Sequence, residues 1–463
     1  MKIPAELKEL AQIFKDNKKE LYIVGGYVRD TYLGVQSVLR DDIDICSSAT
    51  PKELKNILEG TKFEVKNINE SVGVMAVCGK RRYEHATFRR EFYESESHTP
   101  DRVEFIKSIE EDAIRRDFKI NAIYFNILES IYVDPLGGLE DLKERKITTT
   151  RVPKLTFNDD PERILRLIRF ACALGLQIPK DEMFYARKNA YKIRFISKYR
   201  LRKEFERLLT VDEIYPDLIY TQDGHFRAMV LLGEIDAWKY ILPALDALKN
   251  STVKDNKGEI IYEHVLNSLK NAPPSIRLAV LLHDSGKAKT MELRNSFFGA
   301  KEFVNNIVDK NLGIEGLGYS KEVVENVKKI ILGYDFNRYC LAPLKSIKKF
   351  IFENHENIEK IIAIKTVIKN ENKLKMKKSY SAEILKKVYN DMLKKQTPFI
   401  LADLAIKGDD IIKFNPHIKV DKIDDILDIL LLKAALNPNK NNKESLCVMI
   451  NKLTRRHPDI YLD

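Results

Sequence analysis

Two aspartates one residue apart, Asp42 and Asp44, stand in a stretch that reads as a β-strand. Side chains two apart on a strand share a face, so both carboxylates point the same way. Two acids on one face suit divalent metal ions, and such a site can run in-line nucleotidyl transfer. Upstream, the apolar run Leu21 to Val24 reads as a short buried strand that ends at Gly25-Gly26. A glycine pair permits a tight turn and close approach of backbone to a ligand. Val28-Arg29-Asp30 then opens a helix. Backbone N–H groups at such a turn suit a triphosphate, and Arg29 adds a forked donor. Glu84, in the alternating stretch Tyr83 to Phe88, can turn toward the aspartates as a third acid or simply face solvent. Gly-Gly is usually only a turn, and Asp-x-Asp arises by chance in many chains. Specificity lies in their order and spacing.

A second constellation is Asp160, Arg163, Arg166 and Arg169, which recur every three residues in DDPERILRLIRF. On a helix this spacing makes each the neighbour of the next along a slowly turning stripe. Pro161 suits a first helical position, and Asp160 could serve only as the cap. One acid with three arginines exceeds what a cap requires. An Asp carboxylate accepts from an exocyclic amino group, and an Arg donates to a ring nitrogen or carbonyl oxygen. Cytosine and adenine both offer an amino group beside an acceptor, whereas guanine and uracil present the opposite pattern. One Asp160–Arg163 pair can therefore accept C and A, with Arg166 and Arg169 left for phosphates.

The stretch GGYVRD followed by DDIDI resembles the catalytic head of the nucleotidyltransferase superfamily. More narrowly, it resembles class II CCA-adding tRNA nucleotidyltransferases and their relatives, the bacterial poly(A) polymerases. RRDFKINA (115–122) is similar to that family's RRDFTINA block, with Lys119 in place of Thr. The resemblance implies that Asp117 contacts the sugar 2′-hydroxyl and that Arg116 reaches the nucleotide. Asp159-Asp160 with Arg163 resembles the family's Glu-Asp-x-x-Arg motif, shortened by one methylene at Asp159. Arg89 to Arg102 reads as a polar mobile loop, and the family's loop at this place helps switch from C to A addition. The implied activity is template-independent addition of C and A to the 3′ end of tRNA from CTP and ATP, with two Mg²⁺ ions in the head. A poly(A) polymerase, or an enzyme adding only C or only A, has the same head.

His264, and His283-Asp284 within LLHDSGK, resemble an HD-type metal phosphohydrolase domain, with Asp335 as a further ligand candidate. Such residues can hold a divalent metal that activates water. Histidines expected near Phe297-Phe298-Gly299 and at Tyr334 are missing, so a retained helical fold without metal is the alternative. An HD phosphohydrolase and a non-catalytic RNA-binding protein are the competing function classes. The intact Asp42, Asp44, Asp160 and Arg163 argue against pure binding.

The elements that must carry these residues read as α+β. A first helix covers 4–17, and strands are expected at 62–66, 74–78 and 83–88. From about 210 onward the period is almost wholly helical. The expected domains are a nucleotidyltransferase head (1–142), a helical neck with the base-selecting helix (143–210), an HD-like body (211–345) and a helical tail (346–463). Leu401 to Ile412 resembles the tail motif by which the family binds the tRNA elbow.

With 463 residues, 44% hydrophobic and 32% charged, the chain is globular and long enough for several domains. Its net charge of +11, spread along the sequence, suits a polyanionic partner such as nucleic acid. Five scattered cysteines with no Cys-x-x-Cys pair read as reduced thiols and imply no zinc ribbon. No apolar run is long enough to span a bilayer, and no signal-type core follows Met1. The expected location is cytoplasmic.

Overall fold

A computed structural model describes residues 3–38, 43–93, 100–218, 221–251, 254, 258, 260–294, 296, 299–336, 342–371 and 381–462. The chain forms two compact units, one of residues 1–254 with 309–319 and the other of 255–308 with 320–463.

In the first unit a seven-stranded mixed sheet carries the head. Its strands are β1 (Tyr22–Val24), β2 (Asp44–Ser47), β3 (Glu64–Asn69), β4 (Val74–Cys78), β5 (Arg82–Thr87), β8 (Tyr124–Asn126) and β9 (Ile131–Val133). They lie in the order β3-β4-β5-β2-β1-β8-β9. β2 and β5 run parallel, with Asp44 opposite Glu84, and the other neighbours are antiparallel. The period-two pattern splits the sheet into two faces. Ile23, Ile45 and His85 point to one side, where α1 (Ala5–Asp16) supplies buried Leu7, Leu10 and Phe14. The Phe14 and His85 rings lie 6.0 Å apart. Tyr22, Val24, Cys46 and Tyr124 point to the other side and pack with Phe88, Ala113 and Ala122. Asp44 and Glu84 share this second face but stand at its exposed margin.

Local sequence explains the connecting helices. α2 (Gly26–Leu33) starts at the glycine turn, and Gly34 at φ +67° closes it. α3 (Pro51–Leu58) has Pro51 at its first position and a capping box made by Thr50 and Glu53. α4 (Ile109–Arg115) is capped by Ser108. Asp134 accepts from the N–H groups of Gly138 and Leu139 at 2.8 Å each, which starts α5 (Gly138–Lys143).

Part of the expected loop at 89–102 is instead sheet. β6 (Arg89–Phe92) pairs antiparallel with β7 (Arg102–Phe105), with Arg90 opposite Glu104 and 3.6 Å from its carboxylate. Residues 94–99, at the centre of that stretch, lie outside the described residues.

After Val133 the described elements are helical. α6 (Pro153–Asp159) and α7 (Glu162–Leu174) meet at Asp160-Pro161, and α8 (Lys180–Asn189) and α9 (Lys198–Leu209) follow. In the second unit, buried Leu and Ile side chains between Leu404 and Ile450 make one core, and Ile347, Ile351, Leu385 and Met392 belong to another. The α+β reading, with a mixed-sheet head and a helical remainder, is borne out. Among the described residues no helix is long and apolar enough to cross a membrane.

Candidate active site

The margin of the sheet brings Asp44 and Glu84 together. They face each other in register on adjacent parallel strands, and both are exposed. In-register residues on neighbouring strands project to the same side about 5 Å apart. Asp42 lies outside the described residues. The Gly25-Gly26 turn ends β1, the strand next to β2. Gly25 sits at φ +79°, a conformation that side chains other than glycine rarely adopt, and a Cβ there would lie 3.7 Å from Asp44 Oδ2. The turn therefore lies directly beside the carboxylate, which suits an anion bridged to a cation.

Arg29 departs from its expected role. It is 3% exposed and directed inward. Its Nε and Nη2 donate to Asp30 Oδ1 at 2.8 and 2.7 Å, Nη1 to Asn121 Oδ1 at 2.6 Å, and Nη2 also to Tyr215 Oη at 2.8 Å. A buried guanidinium must satisfy its donors, and this one does so within the protein. Arg29 thus braces the turn and does not present a fork to a triphosphate. Tyr215 Oη donates in turn to Asp30 Oδ2 at 2.8 Å.

The same network reaches Asp117. Asn121 Nδ2 donates to Asp117 Oδ1 at 3.2 Å, and the Phe118 N–H donates to the same oxygen at 2.8 Å. Arg166 donates from Nε and Nη2 to Asp117 Oδ2 at 2.8 and 2.5 Å. Burial by itself would push the Asp117 carboxyl up, but the Arg166 guanidinium overrides it and holds the group at about 2. Arg116 is also committed inward. It donates to Asp112 Oδ2 at 3.0 Å and to Tyr124 Oη at 3.0 Å. Asp112 is fully buried and takes Arg115, Arg116 and Tyr124 together.

The arginine stripe on α7 divides. Asp160 Oδ1 accepts the Glu162 N–H at 3.0 Å, so its carboxylate does help start the helix. Its Oδ2 remains 3.9 Å from Arg163 Nε. Arg163 is buried, donates from Nη2 to the Arg115 carbonyl at 2.8 Å, and leaves Nη1 buried without a hydrogen-bond partner. Arg166 serves Asp117, and Arg169 is buried against Glu204 of α9. Arg169 therefore does not reach a phosphate here, because Glu204 takes its charge. The guanidinium groups of Arg29, Arg166 and Arg169 surround Phe170, 4.3 to 5.2 Å from its ring. A cavity of about 200 Å³ lies behind the turn, lined by Tyr27, Asp30, Phe170 and Tyr215. Asp44, Glu84, Asp160 and Arg163 do not line it, so it is not the reaction cleft.

In the second unit, His264, His283 and Asp284 come together, with one ligand atom of each within 4.8 Å of the others. His283 Nδ1 meets the Val280 carbonyl at 2.7 Å, and its Nε2 lies 3.4 Å from Asp284 Oδ2. A donor Nδ1–H leaves Nε2 with a lone pair suited to a metal. Lys287 donates to Asp284 Oδ2 at 2.6 Å. Asp335 does not join this cluster and pairs with Lys301 at 3.0 Å. Tyr334 stands edge-on to His283, with ring centroids 5.7 Å apart. Phe297 and Phe298 lie outside the described residues.

Sequence reasoning missed Asn121, Tyr215, Glu204 and Lys287. Asn121 lies inside the quoted RRDFKINA block and Lys287 inside LLHDSGK, so position within a motif was their available signal. Tyr215 and Glu204 carry no local signal.

Residues 21–148 match the poly A polymerase head domain. The resemblance read from the motifs of the head is thereby borne out. A CCA-adding enzyme of Lactococcus lactis subsp. cremoris (strain MG1363) is 33% identical over 246 residues, covering 52% of this chain and 57% of that protein. The chain thus spans little more than half the length of that relative. A CCA-adding enzyme of Lactococcus lactis subsp. lactis (strain IL1403) is 27% identical over 400 residues, 80% of this chain and 96% of that one. Among solved structures, the Bacillus stearothermophilus CCA-adding enzyme in complex with CTP is similar with a TM-score of 0.67 and 22% identity, covering 99% and 100% of the two chains. The Thermotoga maritima CCA-adding enzyme complexed with tRNA has a TM-score of 0.60 and 19% identity over 97% and 96%. These structures share the fold.

Proposed function

We propose that this protein adds C and A to the 3′ end of tRNA, using CTP and ATP. One observation carries the reading: Asp44 and Glu84 stand exposed and in register beside the Gly25 turn. Hard carboxylate oxygens at that spacing fit Mg²⁺. Asp42, Asp44 and Glu84 would hold two Mg²⁺ ions, which when bound supply a lowered hydroxyl pKa and neutralising charge at phosphorus. The RNA 3′-hydroxyl attacks the α-phosphate of the nucleotide, the new P–O bond forms, and pyrophosphate leaves. Backbone N–H groups of Gly25-Gly26 take the triphosphate.

Base choice falls to Asp160 Oδ2 and Arg163. The unpartnered buried Nη1 of Arg163 is a donor that a base acceptor would satisfy. The nearby carboxylate of Asp160 accepts from the amino group of C or A. Asp117 reads the ribose by exchanging its 3.2 Å bond from Asn121 for the sugar hydroxyl. Similarity to proteins described as CCA-adding enzymes supports the reading, as does the fold shared with relatives holding CTP or tRNA. We read the domains as head (1–142), neck (143–210), body (211–345) and tail (346–463), in the cytoplasm.

The test uses tRNA transcripts that end before CCA, after C and after CC, each given Mg²⁺ with CTP, ATP or both. Growth to CCA and no further supports the reading. A long A tail, or a stop at CC, reassigns the enzyme within its relatives. Asp44→Ala should cut addition by on the order of 10²–10³-fold. Full activity in that variant would remove Asp44 from the site.

A second reading concerns the body. The grouping of His264, His283 and Asp284 supports a divalent metal there and, with water, phosphohydrolase chemistry. Lys287 competes for the same Asp284 oxygen.

A further inference from the structure

Between Glu182 and Glu204 the chain carries eight Lys and Arg residues and no acid. Burial sorts this stretch into an inner and an outer set. Ala186, Ala190, Ile193 and Ile196 go inward. Phe184, Tyr191, Phe195 and Tyr199 go outward, at 59%, 39%, 38% and 61% exposure. The other exposed positions from 183 to 199 are the cations Arg187, Lys188, Arg194 and Lys198, with Ser197 alone neither aromatic nor charged. The outer face of α8 and the turn after it is thus built from rings and cations.

The rings and cations are already arranged together. The Arg194 guanidinium lies 5.6 Å from the Tyr191 ring and 4.8 Å from the Phe195 ring. Tyr191 also lines a cleft of about 530 Å³ with Arg187, Lys188, Lys239 and Tyr240. Asp236 and Asp246 also line this cleft; Asp236 is paired with Arg187 and Lys249, Asp246 accepts from Asn250, and Lys188 and Lys239 are the other cations at the cleft. An exposed large ring is unfavourable in water, and four within sixteen residues mark a surface that is covered in use. A cationic surface attracts phosphates, and flat rings stack on unpaired bases whatever their sequence. Neither feature alone selects RNA; their alternation on one short face does.

We propose that the face formed by Tyr191, Arg194 and Phe195, with the adjoining cleft, is a docking platform for the RNA substrate. Unpaired bases stack on Tyr191 and Phe195, and Arg194 and Lys188 hold the phosphates. The proposal rests on the reading of an RNA substrate given above. It assigns binding to a surface separate from Asp44, Glu84, Asp160 and Arg163.

The test measures binding of the full chain to a labelled tRNA transcript lacking CCA, by fluorescence anisotropy, beside steady-state CTP addition. Tyr191→Ala/Arg194→Gln/Phe195→Ala should weaken RNA binding by roughly 10- to 100-fold, as expected for lost stacking. The salt slope should fall by about one. KM for RNA should rise in step while kcat at saturating RNA stays within about twofold. Tyr191→Phe/Phe195→Tyr keeps the rings and should bind as the wild type, which separates a lost platform from a lost fold. Unchanged RNA affinity in the alanine variant overturns the platform and leaves the transferase reading intact. Wild-type protein that binds no RNA overturns both. Loss of binding to phosphatidylserine vesicles with RNA affinity unchanged makes this a membrane face and overturns the proposal.

Discussion

At the scale of single residues, the site divides between groups turned outward and groups that hold them. Asp44 and Glu84 are exposed and Arg163 Nη1 is buried without a hydrogen-bond partner, whereas Arg29, Arg116 and Arg169 are consumed by Asp30, Asp112 and Glu204. Asp117 lies between these classes, since four N–H donors already occupy its oxygens. If it reads ribose, Asp117→Asn should lower discrimination of CTP over dCTP by roughly 10-fold or more, measured as kcat/KM for each. A second residue makes a pH prediction. Glu182 is buried, accepts the Thr149 N–H at 2.9 Å and the Thr149 hydroxyl at 3.0 Å, and leaves Oε2 without a partner. Burial raises its carboxyl to about 7. The unfolded chain releases this proton near 4.5 while the folded one keeps it, so stability falls as pH rises from about 4.5 to 7 and then levels. Glu182→Gln keeps the acceptor and removes the charge. Urea unfolding should show the variant equal to wild type at pH 4 and stabilised by on the order of 3 kcal/mol at pH 8. A variant no more stable at pH 8 would mean Glu182 ionises normally in the fold.

At the scale of elements, close backbone approach fixes how the helices meet the head. Gly138, the first residue of α5, lies where a Cβ would come within 2.2 Å of the Lys119 carbonyl oxygen. Lys119, two residues beyond Asp117, opens the short turn that carries Asn121. Gly138→Ala must therefore displace backbone and not a pliant side-chain tip. It should cost about 1–3 kcal/mol in thermal unfolding and also raise KM for CTP, because the displaced turn supports the Asp117 network. Loss of stability with an unaltered KM would uncouple α5 from the nucleotide. α7 shows the same economy of one helix serving several neighbours: Arg163 meets the Arg115 carbonyl, Arg166 meets Asp117, and Arg169 meets α9.

At the scale of the molecule, chemistry is proposed in both compact units, and the two can be tested apart. Asp44, Glu84, Asp160 and Arg163 belong to the first unit, and His264, His283 and Asp284 to the second. His283→Ala removes one of the three grouped ligands and should abolish any tight Mn²⁺ or Zn²⁺ in the body, read by metal analysis of the purified chain. Nucleotide addition in the head should remain within about twofold, since the variant touches nothing in the first site. Equal metal content in wild type and variant would mean that the Lys287 ammonium fills the place of a cation. The net charge of +11 predicts that RNA affinity falls steeply with salt.

Features decided by nearest neighbours were legible in the sequence. Strand period placed Asp44 in the sheet, Gly25 marked the turn, and Pro161 with the three-residue arginine spacing marked the helix, while Asp42 lies outside the described residues. The family motifs carried the head, and helical period carried the rest of the fold class. What the tertiary structure decided were contacts whose partners lie far along the chain. The register that sets Asp44 opposite Glu84 joins parallel strands that are not consecutive in sequence. Arg169 finds its acid 35 residues away, Arg166 49 away, and Tyr215 reaches Asp30 across 185 residues. An arginine looks the same in a sequence whether it faces a nucleotide or a buried glutamate. The difference is set by which carboxylate the fold brings within reach, because a buried guanidinium must be paired and an exposed one need not be.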